Sequence, residues 1–254
     1  GIARMKKVVK FGGSSLASAE QFKKVGNIIR AEESRRYVVP SAPGKRFSAD
    51  TKVTDMLYGC YAAAENGEDF TEKLAAIKDR YQEIIDGLGL KLSLDEDFEV
   101  IRKNFSEKVG SNYAASRGEF LNGKIMAAYL GFEFIDAAEV VRFDENGDFQ
   151  SEITNEIMSA RLEKAKNAVI PGFYGATEEG RVVTFSRGGS DITGSLVARA
   201  VNADLYENWT DVSGFLIADP RIVKGSKSIE TITYKELREL SYMGASVLHE
   251  DAIF

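Results

Sequence analysis

Short apolar runs alternate with longer stretches of helical periodicity along this chain, a pattern that predicts an α/β fold built on a parallel sheet. The run KVVKF at 7–11 predicts a strand. From 18 to 33, Phe22, Val25, Ile28 and Ile29 recur on one face of a predicted helix. The run YVVPS at 37–41 predicts a second strand, closed by the turn formers Ala42, Pro43 and Gly44. Between 53 and 130 the period is helical, with Leu57, Leu74, Ile77, Tyr81, Ile84 and Ile85 at core spacing. A loop is expected at 88–97, where Ser93 or Asp95 can cap the next helix. Strands are predicted again at 132–135, 139–143, 168–172 and 181–185. A helix starting near Ser190 separates the last of these from a strand at 205–209, and Leu237 and Leu240 mark a further helix over 234–243. There is no internal repeat and no low-complexity linker.

Bulk properties narrow the function. The chain has 254 residues, 44% apolar and 28% charged, which suits a globular protein with one large core or two modest ones. A net charge of -6 argues against a general binder of nucleic acid or of anionic membrane. No apolar run is long enough for a membrane span and no signal peptide is visible, so the expected location is the cytoplasm. The single cysteine, Cys60, fits a reducing compartment and reads as a buried apolar residue. With one histidine and one cysteine, a structural His/Cys metal site is not expected. Gly1 to Arg4 precede the first methionine, Met5, and read as a non-native leader.

The chemistry concentrates in two glycine-rich stretches, KFGGSS at 10–15 and RGGSD at 187–191. Each joins a strand to a helix and puts paired glycines beside hydroxyls and a basic residue. Glycines let backbone N–H groups approach a polyanion closely. Lys10 supplies a point charge for phosphate, and Arg187 a fork suited to carboxylate or phosphate. Lys10 precedes its glycines, so this is not a Walker A loop. The two stretches are expected to face each other across one cleft, the arrangement of a small-molecule kinase. Ser190 or Asp191 is placed to cap the helix that follows the second stretch. Gly118 interrupts a helical stretch, which suggests close approach of a ligand, and Glu119 beside it can accept hydrogen bonds from an ammonium group. Thr210, Asp211 and Ser213 follow a strand, where an open α/β sheet places its ligand loops. Asp219, Pro220 and Arg221 add a charged turn. Trp209 reads as core or pocket wall, and the lone His249 as structural.

Together these stretches resemble the amino acid kinase family, its aspartate kinase branch in particular. The likeness rests on KFGGSS (10–15), SAPG (41–44), SRGE (116–119), GFYG (172–175), FSRGGSD (185–191), TDVSG (210–214), ADPR (218–221) and ELSYMGASVLH (239–249), in the family's order. It implies a three-layer αβα sandwich with a mostly parallel sheet and a helical portion at about 53–130, in one catalytic domain spanning 5–254. It implies transfer of the ATP γ-phosphoryl group to the side-chain carboxylate of L-aspartate, a step towards lysine, threonine and methionine. Lys10 and Asp191 would then be catalytic. Ser41, Thr54, Glu119 and Arg187 would hold aspartate, and Lys10, Gly12, Gly13, Ser14, Thr210, Asp211 and Arg221 the nucleotide. Mg²⁺ is implied by the nucleotide, and a homo-oligomer by the family.

Some positions depart from the family pattern. Residues 45–52 look like an insertion. Ser186 stands where glycine is common, and Ser246 and Glu250 where many relatives carry lysine and proline. Arg221 or Lys224 can compensate for the missing lysine. The chain stops at Phe254 without a turn or cap, which reads as a truncation, and the family's C-terminal ACT regulatory domains are expected to be absent from it. Three other functions compete: a kinase of the same fold acting on glutamate, acetylglutamate, carbamate or UMP; a non-catalytic nucleotide or amino acid sensor; and a dinucleotide-dependent oxidoreductase. The last ranks lowest, because the first strand–helix turn has no GxGxxG fingerprint.

Overall fold

The computed structural model describes residues 5–186 and 188–212. Arg187, Ser213, Asp219, Arg221, Lys224, Ser246, His249, Glu250 and the helix expected at 234–243 lie outside them. Five strands form one parallel sheet in the order β3-β4-β2-β1-β7: β1 (Lys7–Phe11), β2 (Arg35–Pro40), β3 (Glu133–Phe134), β4 (Ala168–Val169) and β7 (Leu205–Trp209). Strands β5 (Tyr174–Ala176) and β6 (Val182–Thr184) pair separately as an antiparallel ribbon.

Helices cover both faces of the sheet, so its central strands are buried almost continuously. Val9, Phe11, Val38 and Val169 point into a core shared with α1 (Ala19–Arg30), α2 (Val53–Glu65), α3 (Thr71–Gly87), α4 (Asp95–Ser106) and α5 (Ser111–Leu130). Their sequence neighbours Val8, Tyr37, Val39 and Ala168 point the other way, towards α6 (Ala137–Val140), α7 (Ser151–Glu163) and α8 (Gly189–Ala200). Each large apolar side chain so buried is worth about 1.5–3 kcal/mol. The result is the expected three-layer sandwich.

Local signals account for most boundaries. Ser18 begins α1 by accepting a hydrogen bond from the Gln21 N–H at 3.3 Å. Helix α5 is buried on nearly every side and runs through the middle of its layer. Three expectations need correction. The strand expected at 139–143 is instead the short helix α6, because the Asp136 carboxylate accepts from the Ala138 N–H at 3.0 Å and starts a helical turn; only Arg142 and Phe143 then make isolated bridges. The loop expected at 88–97 ends early, because Ser93 Oγ accepts from the Asp95 N–H at 3.2 Å and α4 begins there. Helix α7 was not predicted at all: it buries only Thr154, Met158 and Leu162, a stripe too narrow to announce itself.

At the amino end of the sheet, two cations and two carboxylates close on one another. Lys7 Nζ lies 2.7 Å from Glu32 Oε1 and 3.6 Å from Glu207 Oε2. Arg35 bonds Glu207 through Nε at 2.8 Å and Glu32 through Nη2 at 2.7 Å. Trp209 Nε1 donates to the fully buried Glu207 at 3.1 Å. The hydrogen bond from Lys7 and the charge of Arg35 hold the Glu32 carboxyl below its ordinary pKa, against partial burial.

Candidate active site

The carboxyl ends of β1, β2 and β7 point the same way, so the segments that follow them meet at one edge of the sheet. Gly13, Ser14, Ser41, Ala42, Pro43, Gly44, Lys45, Lys52, Thr54 and Glu119 line a cleft of about 470 Å³ there. Five of these, Gly13, Ser14, Ser41, Thr54 and Glu119, are candidate site residues from the sequence.

Backbone packing builds its floor. Gly44 N donates to Gly13 O at 2.9 Å. A Cβ on Gly13 would sit 2.8 Å from Ala42 O, and one on Gly44 would sit 2.7 Å from the Gly13 carbonyl carbon. Neither loop has room for a side chain against the other. Gly118 has a similar cause: a Cβ there would lie 2.8 Å from that of Ala42. The helix therefore keeps this glycine for the 41–44 loop, not for a ligand as the sequence suggested.

Lys10 Nζ and Asp191 Oδ1 stand 2.9 Å apart, which brings the two glycine-rich stretches together. Asn208, directly beside Lys10 in the sheet register, donates to the same Asp191 oxygen at 3.0 Å. Ser41 Oγ donates to Ser190 Oγ at 2.9 Å. Neither Ser190 nor Asp191 caps α8, as either was expected to; Gly188 takes the capping position, and the two side chains are engaged across the cleft instead. Gly12 N donates to Trp209 O at 3.3 Å, and Ser14 Oγ lies 3.5 Å from Thr210 O, so Thr210 and Asp211 adjoin the first loop. Arg187 and Arg221 lie outside the described residues.

Glu119 is the most perturbed acid. It is 6% exposed, and Oε1 has no hydrogen-bond partner among the described residues. Burial pushes its carboxyl up to about 8, while its own backbone N–H, that of Ala42 and the Arg117 charge pull down. Such a group binds a cation by giving up its proton. Cys60 is buried as expected, and burial raises its thiol to about 11. Among the described residues no group of three or more His, Cys, Asp or Glu gathers as a metal cage, and no helix is long and apolar enough to cross a membrane.

Sequence reasoning missed Asn208, Lys45 and Lys52. Asn208 sits inside a predicted strand, where register alone reveals it. The lysines sit in the stretch set aside as an insertion.

The sequence model of the amino acid kinase family matches residues 5–254. The chain belongs to the amino acid kinase family. Aspartokinase 3 of Bacillus subtilis (strain 168) is 40% identical over 97% of this chain and 58% of its own length. The crystal structure of Clostridium acetobutylicum aspartate kinase superposes with a TM-score of 0.83 at 54% identity, over 99% of this chain and 57% of that one. E. coli aspartokinase III in complex with aspartate and ADP superposes with a TM-score of 0.74 at 28% identity, over 98% of this chain and 59% of that one. The chain thus spans less than two thirds of the length of these relatives.

Proposed function

We propose that this chain is the catalytic domain of an aspartate kinase, spanning 5–254, which transfers the γ-phosphoryl group of ATP to the side-chain carboxylate of L-aspartate. The observation that carries this is the cleft itself: the buried carboxyl of Glu119, whose Oε1 has no hydrogen-bond partner among the described residues, lines it together with a glycine floor flanked by the Lys10–Asp191 pair. The aspartokinase names of the similar proteins support the choice of acceptor.

An aspartate side chain ionises near pH 4, so the acceptor is already a nucleophile at neutral pH and needs no general base. One of its carboxylate oxygens attacks the γ-phosphorus, and the bond to the β,γ-bridging oxygen breaks with ADP as leaving group. The difficulty is bringing anions together, which positioned charges and dipoles solve. Lys10 stabilises the transferring group, and Asp191 orients Lys10. Gly12, Gly13 and Ser14 offer backbone N–H groups to the phosphates. Ser41 and Thr54 line the acceptor side, and Glu119 takes the ammonium. Arg187 is assigned the α-carboxylate, and Thr210, Asp211 and Arg221 the nucleotide. Among the described residues the cleft gathers no cage of acids, so Mg²⁺ would come with the nucleotide, and there it would neutralise phosphate charge. The setting is the cytoplasm and the full-length protein a homo-oligomer.

The test is ADP release with Mg-ATP and L-aspartate, L-glutamate, N-acetylglutamate or UMP, with hydroxylamine trapping the acyl phosphate. Turnover with aspartate alone is expected. N-acetylglutamate lacks the ammonium that Glu119 requires, so turnover with it or with UMP overturns the assignment.

A further inference from the structure

The 45–52 loop carries three cations, Lys45, Arg46 and Lys52, and one acid, Asp50. Arginines take that acid entirely. Arg46 reaches Asp50 through its backbone N at 2.9 Å, Nε at 2.7 Å and Nη2 at 3.0 Å. Arg80, only 5% exposed, reaches it through Nη1 at 3.3 Å. The Arg46 hydrogen bond above all, helped by the backbone N–H groups of Arg46 and Thr51 and the Arg80 charge, holds the Asp50 carboxyl far below the usual carboxylate range. The contact therefore persists at any pH at which the protein works.

Arg80 also fixes the loop's two ends. It donates to Gly44 O at 3.0 Å and to Thr51 O at 3.1 Å, the residues next to Lys45 and Lys52. Gly44 is in turn bonded to Gly13, and Val53 N donates to Pro43 O at 3.2 Å. Two lysines on a clamped backbone thus line the cleft, and neither ammonium has an ion-pair partner among the described residues. Glu119, whose Oε1 has no hydrogen-bond partner among the described residues, lines the same cleft. One acid and two ammonium groups without ion-pair partners among the described residues, lining one cleft, complement a ligand with one ammonium and more than one carboxylate.

We propose that Lys45 and Lys52 form a carboxylate-recognising wall of the acceptor pocket, held in place by the Arg46–Asp50–Arg80 clamp. The proposal presupposes the aspartate kinase activity proposed above and deepens its acceptor specificity. The lysines make and break no bonds; they attract and seat the doubly anionic amino acid. Asp50 and Arg80 are positioning residues that act through them.

The test compares wild type with Lys45→Ala, Lys52→Ala, the double variant, the double Lys→Arg variant and Asp50→Asn, in steady-state kinetics from low to high salt. The double alanine variant is expected to raise the aspartate KM about tenfold or more, with kcat within about threefold and the ATP KM unchanged. Its kcat/KM should also lose most of its salt dependence. The double arginine variant should restore most of the aspartate KM, and Asp50→Asn should reproduce part of the rise. An unchanged aspartate KM overturns the proposal, as does a rise confined to the ATP KM, which would give the lysines to the nucleotide. Wild-type turnover of another acceptor but not of aspartate instead overturns the activity. If wild type shows no turnover, calorimetric titration with aspartate decides: about tenfold weaker binding by the double variant supports the wall, equal binding overturns it, and no binding by wild type removes activity and wall together.

Discussion

Lys7 and Lys10 stand on the same strand, on opposite faces of the sheet, and their surroundings differ as a closed circuit differs from an open one. Lys7 is met by Glu32 and Glu207, which are met in turn by Arg35 and Trp209. Every charge in that group is answered by protein, and Glu207 is wholly buried. Lys10 has Asp191, whose side chain is 26% exposed at the edge where three loops converge. One lysine completes a joint between strands; the other has, among the described residues, one carboxylate partner that solvent still reaches. On the proposed reading, the same residue type on one strand serves structure where its partners are saturated and chemistry where they are not.

The largest effect expected from this contrast is on turnover. Lys10→Ala should lower kcat about 10³-fold, while denaturant unfolding shifts by less than about 1 kcal/mol because the pair is partly solvated. Near wild-type ADP release would remove Lys10 from the reaction. Glu207→Ala should do the reverse: it leaves the buried Lys7 and Arg35 with only the more exposed Glu32 as partner and should cost roughly 3 kcal/mol of stability. Its turnover per folded molecule should stay within about twofold of wild type. A variant that unfolds normally but turns over poorly would erase the distinction between the two lysines.

A smaller effect sharpens the comparison through pH. Glu119 has a folded-state value of about 8, against about 4.3 for an exposed glutamate. Between those values the unfolded chain has lost the proton and the folded chain keeps it, so folding stability falls as pH rises. Glu119→Gln has no proton to lose and should escape that slope. Its stability relative to wild type should therefore grow by on the order of 3 kcal/mol between pH 5 and pH 8, measured by urea unfolding without substrate. A constant difference across that range would mean that Glu119 is not desolvated as the cleft geometry indicates.

Much of the site is legible in the sequence because its parts obey local rules. Paired glycines after an apolar run, and a helix started by Ser18, mark β1, its loop and α1 without tertiary information. That the two glycine-rich stretches share one cleft follows from their similar motifs at strand–helix junctions; the contact between Lys10 and Asp191 itself needs the fold. What stays hidden depends on partners far along the chain. Glu207 reads as an ordinary polar position until Lys7 and Arg35 are folded against it. Gly118 suggests a ligand until Ala42 arrives beside it. The run 139–143 has the β-branched residues of a strand, but Asp136 diverts it into a helical turn. Lys45 and Lys52 are visible as residues, but that they line the cleft beside an Arg80-held backbone appears only in the fold.

The abutting backbones of Gly13 and Gly44 have one further consequence. They fix the start of the 45–52 loop to the phosphate-loop side, and the Val53–Pro43 hydrogen bond fixes its end. A loop whose ends are already together can gain or lose residues at small entropic cost, since closure grows only with the logarithm of length. If Lys45 and Lys52 seat the acceptor as proposed, substrate range can drift, or be engineered, by editing that span alone, while the backbone contacts beneath it stay unchanged.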